Sequence, residues 1–197
     1  MLRVKLTPEN LDETAERLNV ILKSPGAVAL VPTETVYGLI ARAGDKVAEE
    51  RIFALKKRNT SKVLGWFTGN WRELSDYGVI LEGMPEKLAS EYFPGPLTVI
   101  ARCSDGTTQG FRMPDTPFLL KLLKKTDGVL IQTSANASGE PDARDCDEAL
   151  AQLNGEVDMA VDGGAIDGNI CGSTVVDVSG ERIKILRQGP VDLQKWL

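Results

Sequence analysis

The stretch that decides the fold is AVALVPTETVYGL, residues 27–39. Its first five residues, 27–31, are a continuous apolar run of strand length, which predicts a buried strand. Polar residues from Thr33 to Tyr37 follow where that strand ends, and ligands of open α/β sheets bind at such ends. Two interpretations stay open at this point. Either these side chains line a pocket, or Thr33 or Thr35 caps a helix that begins here.

Segments of strand and helix character alternate on both sides of this stretch. Strands are predicted over 2–6, 63–68, 97–103, 110–113, 128–133, 157–161, 173–178 and 182–186. Helices are predicted from Thr7-Pro8 to Leu22, and over 47–57, 71–77, 85–93, 117–125 and 145–153. Strands without helices close the chain, so the pattern predicts a single α/β or α+β domain over 1–197 with a mixed sheet.

The composition excludes several classes of protein. None of the 197 residues is a histidine, so a Ser-His-Asp, Cys-His or histidine-metal mechanism is impossible within one chain. Cys103, Cys146 and Cys171 are far apart and form no Cys-x-x-Cys pair, which indicates neither a disulfide framework nor a zinc site. The net charge of −5 argues against a strong, non-specific nucleic-acid binder.

The beginning of the chain carries no sign of export. Residues 1–6 lack the apolar stretch of a signal peptide, and the run 27–31 is far too short to span a membrane. Together with reduced cysteines, these features predict a cytoplasmic protein with no membrane partner and no protein-ligated metal.

One cluster of cations has both a structural and a functional interpretation, and a single arginine elsewhere in the chain is a further candidate. Lys56-Lys57-Arg58, with Lys62 nearby, stands at the predicted C-terminal end of a helix, where the helix dipole favours cations. The same cluster is suited to clamp the phosphates of a nucleotide or a carboxylate, because the fork of an arginine binds two oxygens. Arg112, at the start of Arg-Met-Pro-Asp, is a modest candidate for holding an anion.

Two clusters of small hydroxylic residues follow predicted strands. TSANASG, residues 133–139, lets backbone approach a phosphate closely and can form a nest of N–H groups; the alternative is a turn that caps the next helix. The density of its hydroxyls favours the phosphate site. GSTVVD, residues 172–177, with Arg187 beyond, is by itself typical of an ordinary hairpin. The sequence contains neither a P-loop nor a Gly-x-Gly-x-x-Gly turn, so any nucleotide site is of another type.

In their order along the chain, these clusters resemble the motifs of the YrdC/TsaC family. The segments that carry the resemblance are Pro32-Thr33-x-Thr35-Val36-Tyr37-Gly38-Leu39, Lys56-x-Arg58 with Lys62, Pro94-Gly95-Pro96-Leu97-Thr98, Arg112-x-Pro114, Ser134-Ala135-Asn136-x-Ser138-Gly139, Ser173-Thr174 and Arg187-x-Gly189. They cover nearly the whole chain, and seven motifs in the right order are hard to obtain by chance.

The resemblance implies a twisted open α/β sheet with flanking helices and a deep, positively charged central cavity. It implies an activity that joins L-threonine, bicarbonate or CO₂, and ATP with Mg²⁺ into threonylcarbamoyl-adenylate and pyrophosphate, hence a nucleotidyltransferase. A separate tRNA threonylcarbamoyl transferase complex then passes the group to tRNA, which the synthase itself contacts at most weakly. Since the chain ends soon after Arg187, the short, single-domain form is implied.

The resemblance also implies roles for particular residues. It makes Lys56 and Arg58 catalytic. The threonine-binding residues that it implies are Thr33, Tyr37, Arg112, Thr133 and Ser173. The ATP-binding residues that it implies are Arg58, Lys62, Thr108, Ser134, Asn136 and Arg187. Adenylation of a carboxylate that is already anionic needs alignment and charge neutralisation rather than a strong base, which suits a chain without histidine.

Three alternatives remain. A YciO-like paralogue, or the carbamoyl-transferring domain of hydrogenase maturation factors, would have a different carbamoyl or adenylyl activity. Lys56, Arg58 and the Ser-Ala-Asn loop favour the synthase, whereas Phe67 stands where some members have a polar residue. An RNA-binding module is opposed by the charge of −5. A structural protein with an empty cavity would have no use for three spaced cations and two hydroxylic loops.

Overall fold

One mixed sheet of ten strands organises the part of the chain that the structure, a computed structural model, describes: residues 1–57, 63–166 and 171–197. The strands are β1 Leu2–Lys5, β2 Ala29–Val31, β3 Gly38–Arg42, β4 Gly65–Phe67, β5 Leu97–Arg102, β6 Thr108–Arg112, β7 Leu130–Ser134, β8 Met159–Asp162, β9 Thr174–Asp177 and β10 Lys184–Arg187. Their order across the sheet is β1-β8-β2-β3-β7-β4-β6-β5-β9-β10. The pairs β1–β8, β2–β8, β4–β6 and β5–β9 are parallel and the others antiparallel, which confirms the predicted open mixed sheet.

Helices flank this sheet at the predicted places. They are α1 Leu11–Leu22, α2 Lys46–Leu55, α3 Met84–Tyr92, α4 Pro117–Lys125 and α5 Cys146–Gln152, with short 3₁₀ helices at Pro8–Asn10, Trp71–Tyr77 and Gln194–Trp196. Within the described residues, no helix has both the length and the apolar character needed to cross a membrane.

The two faces of the sheet are covered differently. On the covered face, Leu30 and Leu39 pack against α2 and α5, while Val99 packs under α3 and the Trp71–Tyr77 turn. On the opposite, half-open face, Ala29 and Ile40 pack under α1 and α4. Because side chains alternate between faces along a strand, the sequence of each central strand serves both layers.

Strand β3 was not predicted from the sequence. After β2 the chain turns through residues 32–37 and returns antiparallel, with Ala29 opposite Ile40 and Val31 opposite Gly38. The helix-capping interpretation of this segment is therefore wrong. The strand was missed because the apolar run that forms it is short and directly follows the polar residues of the turn. In the structure, Leu39 and Ile40 are fully buried.

The Asp45 carboxylate ties the start of α2 to the turn before β2. It accepts hydrogen bonds from the backbone N–H groups of Ala48, at 3.0 Å, and Gly26, at 2.7 Å. Partial burial raises the pKa of Asp45, but these hydrogen bonds outweigh it and hold the pKa below the ordinary 3.8. A carboxyl with a depressed pKa contributes stability above its unfolded pKa, and that contribution is lost as the pH falls through the folded pKa.

We expect Asp45→Ala to lower the free energy of unfolding by about 1–2 kcal/mol at pH 7, as loss of a helix N-cap does. Denaturant unfolding measures the change. Asp45→Asn is the control, because its amide oxygen keeps one acceptor without a charge. The difference between wild type and Asp45→Asn should shrink below about pH 4. Equal stabilities of wild type and Asp45→Ala at pH 7 would contradict the capping role.

Candidate active site

A cavity of about 440 Å³ lies on the part of the half-open face that α1 and α4 leave uncovered. Its floor is made by strands from β7 to β9, and the residues that face it alternate along each strand. The floor residues are Gln132 and Ser134 on β7, Gly65 and Phe67 on β4, Thr108, Gly110 and Arg112 on β6, Thr98 and Ile100 on β5, and Val175 on β9. The walls come from the β2–β3 turn, from Gly172 and Ser173, and from Arg187.

The hydroxyl of Thr33 holds the β2–β3 turn. Its oxygen accepts hydrogen bonds from the backbone N–H groups of Thr35, at 3.0 Å, and Val36, at 3.1 Å. It donates to the carbonyl of Val36 at 2.6 Å. Thr33, Thr35 and Val36 all line the cavity, so the pocket interpretation of this segment is the correct one.

Arg112 is a buried cation in the cavity wall, with its residue only 3% exposed. Its guanidinium donates to the Glu34 carboxylate at 3.1 Å and to the Thr35 hydroxyl at 3.2 Å, and it lies 5.1 Å from the centre of the Phe67 ring. Among the described residues, Arg112 Nε and Glu34 Oε1 are buried and have no hydrogen-bond partner. Arg112 also lines the cavity, and a guanidinium forms strong charge-assisted hydrogen bonds with anions.

Burial lowers the pKa of Arg112, and the nearby charge of Arg187 lowers it further, whereas Glu34 opposes the shift. An arginine stays protonated at neutral pH even when its pKa is depressed. Glu34 therefore provides the negative charge without which a buried guanidinium would be strongly destabilising.

A second guanidinium, that of Arg187, lies at the β9–β10 end of the cavity. Its Nε donates to the carbonyl of Ser173 at 2.9 Å and its Nη2 to the hydroxyl of the same serine at 3.2 Å. That hydroxyl is also 2.8 Å from the hydroxyl of Thr98 on β5. A Cβ on Gly172 would stand 2.6 Å from Arg187 Cζ, so glycine is needed for this approach. The hairpin is present as predicted, and its residues also line the cavity.

The loop after β7 is anchored by Lys56. This lysine is 2% exposed, and its ammonium group donates to the carbonyl oxygens of Ser134 and Asn136 and, at 3.2 Å, to the side-chain oxygen of Asn136. The amide of Asn136 also donates to the carbonyl of Glu140. Thr133 and Ser134 line the cavity, whereas Lys56 and Asn136 do not belong to its lining. Lys56 thus stabilises the Ser134 loop from outside the cavity lining.

Tyr37 lies apart from the cavity lining as well. Its hydroxyl donates to the carbonyl of Gly164 at 2.7 Å and accepts from the N–H of Gly163 at 3.0 Å. Burial raises the pKa of this phenol above its ordinary value, so it remains a neutral donor. The structure therefore gives Tyr37 a role in holding residues 163–164, and does not place it with the threonine-site residues implied by the resemblance.

Of the remaining predicted residues, one lies on the cavity floor and two lie outside the described residues. Thr108 lies on the cavity floor. Arg58 and Lys62 lie outside the described residues, so their catalytic and ATP-binding roles stay predictions. The sequence analysis did not assign Glu34 or Gln132 to the site. Glu34 was detectable as a charge inside the polar β2–β3 turn, whereas Gln132 is revealed only by the register of β7 on the sheet.

These features define the class of the protein. It is an α/β protein whose open sheet holds a cavity with two guanidinium groups, several hydroxyls and backbone glycines, suited to bind an anionic small molecule. The chain contains no histidine, so chemistry at this site rests on charge, hydrogen bonding and alignment.

Comparison with known proteins identifies the family. The family model Sua5_yciO_yrdC, described as telomere recombination, matches residues 21–189. The threonylcarbamoyl-AMP synthase of Homo sapiens is 33% identical over 168 residues, covering 78% of this chain and 59% of that protein. That of Pyrococcus abyssi is 29% identical over 196 residues, covering 95% of this chain and 57% of that protein. The chain belongs to the Sua5/YciO/YrdC family.

Solved structures agree with this assignment. The chain is similar to P. abyssi Sua5 complexed with L-threonine, with a TM-score of 0.79 and 28% identity over 99% of this chain and 58% of that one. It also matches E. coli YciO, with a TM-score of 0.82 over 100% of this chain and 98% of that one; at 22% identity this match shows the fold alone.

The role assigned to Tyr37 can be tested by stability. We expect Tyr37→Phe to lower the free energy of unfolding by about 1–3 kcal/mol, because it removes the hydroxyl that makes two hydrogen bonds, to the carbonyl of Gly164 and from the N–H of Gly163, each worth about 0.5–1.5 kcal/mol. Tyr77→Phe is the matched control, since Tyr77 is 45% exposed. Denaturant unfolding of both variants measures the effect, and equal losses of stability would refute the anchoring role.

Proposed function

We propose that this chain is a threonylcarbamoyl-AMP synthase, a nucleotidyltransferase that joins L-threonine, bicarbonate and MgATP. The observation that carries the proposal is the Arg112 site: a buried guanidinium in the lining of the cavity, in a chain similar to a Sua5 structure that contains L-threonine. The product would supply a tRNA threonylcarbamoyl transferase complex, and the cell compartment would be the cytoplasm.

The amino acid belongs at the Arg112 end of the cavity in this proposal. Its carboxylate would accept hydrogen bonds from the Arg112 guanidinium, since arginine and carboxylate form strong charge-assisted bonds. Thr35, Thr98 and Ser173 provide hydroxyls around the same end. The ring of Phe67 gives that end an apolar side, against which a small side chain with a methyl group can pack.

The nucleotide belongs at the end formed by Ser134 and Thr108. The loop that follows β7 presents backbone and hydroxyl groups there, and Lys56 holds that loop in shape through its carbonyl oxygens. Arg58 and Lys62 remain the proposed phosphate ligands from the motif resemblance. Arg187, which also lines the cavity, adds a second positive charge within reach of an anionic substrate.

The chemical step is a displacement at phosphorus. An oxygen of the threonine carbamate, formed from the amine and bicarbonate or CO₂, bonds to the α-phosphorus of ATP. The bond from that phosphorus to the β-bridging oxygen breaks, and pyrophosphate leaves with the electron pair. The attacking oxygen is already anionic, so the protein's contribution is alignment and neutralisation of charge. That requirement is met by arginines and hydroxyls without any histidine.

A YciO-like paralogue with another carbamoyl or adenylyl activity is the competing function. The fold does not separate the two, because E. coli YciO and P. abyssi Sua5 both superpose well on this chain. The relatives named threonylcarbamoyl-AMP synthase favour the synthase. The amino-acid dependence of ATP turnover is the property that distinguishes the candidates.

The first measurement is pyrophosphate release from MgATP, with L-threonine and bicarbonate each added or omitted. We expect release to need both together, because the nucleophile is the carbamate and not threonine itself. L-Serine and L-valine, which each lack one feature of the threonine side chain, serve as comparison substrates. Pyrophosphate release that is indifferent to threonine would overturn the proposal in favour of the paralogue.

Arg112→Lys tests the amino-acid end of the site. Lysine keeps the charge beside Glu34 but loses the fork, so we expect the KM for L-threonine to rise about 10- to 100-fold, equivalent to the ~1.5–3 kcal/mol of a charge-assisted hydrogen bond. The KM for ATP should change much less. Arg102→Lys is the matched control, because Arg102 is an exposed residue on β5 that donates to the carbonyl of Ser179. An unchanged threonine KM in Arg112→Lys would refute this placement.

A further inference from the structure

The strand register arranges the cavity floor into three rows that cross the sheet. Gln132 on β7 is opposite Gly65 on β4, and Gly110 on β6 is opposite Ile100 on β5. Since Trp66 is opposite Phe111, Gly65 and Gly110 are neighbours as well. These four residues form the middle row. It consists of two glycines, one isoleucine and a single polar side chain.

The rows on either side carry the groups assigned to the two substrates. Phe67 and Arg112 are paired in one flanking row, and Thr98 belongs to the same row because Val99 is opposite Phe111. Ser134 and Thr108 belong to the other flanking row, two residues along their strands from the middle one. Two residues of strand span about 7 Å, so the middle row lies about 7 Å from each flanking row. It is where an amino-acid carbamate and a nucleotide held at opposite ends would meet.

Gln132 places its amide in the centre of this row. A Cβ on Gly65 would stand 2.5 Å from Gln132 Nε2 and 3.4 Å from its Cδ, so the amide lies directly above Gly65. The side chain lines the cavity, and among the described residues its amide has no hydrogen-bond partner. By contrast, the amide of Gln109, on β6, donates to the carbonyls of Leu64 and Gly110. A glutamine with free donors at the floor of a cavity is arranged for a ligand.

We propose that Gln132 is a catalytic residue whose amide N–H donates a hydrogen bond to a non-bridging oxygen of the α-phosphoryl group of ATP during adenylation. The inference rests on the proposed function and deepens it. As the carbamate oxygen bonds to phosphorus and the bond to pyrophosphate breaks, charge is carried by the non-bridging oxygens. A neutral N–H donor beside those oxygens stabilises that charge, and no proton is transferred.

The glycine beneath the amide is part of the same arrangement. The backbone of Gly65 does not have a positive φ, so alanine is compatible with its conformation. The added methyl group would, however, occupy the place of the Gln132 amide, which is the mobile end of a flexible side chain. Gly65→Ala therefore displaces the donor without removing it.

The experiment compares wild type with Gln132→Met, which has nearly the same length and shape but no N–H. We expect kcat for threonine- and bicarbonate-dependent pyrophosphate release to fall about 100-fold, as on loss of one oxyanion donor, while the KM values for ATP and L-threonine change less than about threefold. Gly65→Ala should reproduce the loss of kcat. Gln194→Met is the matched control at an exposed glutamine outside the cavity lining, and circular dichroism checks that each variant is folded.

A second readout isolates the oxygen. The two diastereomers of ATPαS each replace one non-bridging α-oxygen by sulfur, a weaker hydrogen-bond acceptor. We expect wild type to discriminate between them and Gln132→Met to discriminate less, a change that a merely structural role would not produce. Unchanged kcat together with unchanged discrimination in folded Gln132→Met would overturn the inference. A wild-type protein that releases no threonine-dependent pyrophosphate would instead refute the proposed function.

Discussion

The interaction on which the site depends is the buried contact between Arg112 and the β2–β3 turn. Arg112 lies on β6, and three strands separate β6 from β2 in the sheet, so Glu34 and Thr35 must reach across the floor to meet the guanidinium. That contact turns an open sheet face into a walled cavity. The same contact makes burial of the Arg112 charge tolerable, because the Glu34 carboxylate lies beside the guanidinium.

The cavity exists because the two faces of the sheet are unequal. Helices cover most of one face, whereas α1 and α4 cover only the β1-to-β7 side of the other. On the uncovered strands most of the positions that face the cavity are hydroxyls, glycines, glutamine or arginine, and Phe67, Ile100 and Val175 are the apolar ones. At the centre of the floor, the absence of a side chain on Gly65 leaves the room that the Gln132 amide occupies. The same strands therefore pack against helices on one face and line the cavity on the other.

Sequence reasoning reached most of the architecture and part of the site. The apolar periods of α1, α4 and the strands are local and strong, and these elements are found within a few residues of their predicted bounds. Lys56 shows what a motif alone cannot provide. The sequence suited this cation to bind phosphate or carboxylate, and the fold adds that its ammonium group donates to the carbonyls of the Ser134 loop; its catalytic role stays a prediction. For Tyr37 the structure adds hydrogen bonds to Gly163 and Gly164 that the motif did not indicate, and its threonine-binding role stays a prediction.

By itself, the sequence determined the α/β class, the absence of any histidine-based mechanism and the set of polar clusters at strand ends, because periodicity and composition are local properties. Only the tertiary structure decided which of those clusters share a cavity. Ser173 and Thr98 are 75 positions apart, and Arg112 and Glu34 are 78 apart, yet each pair is in hydrogen-bond contact. Gln132 directly precedes the 133–139 segment, but nothing in the sequence assigns it to the cavity; it gains its place from the register that sets its amide above Gly65. Strand order and register are long-range properties, and they convert a list of residues into a site.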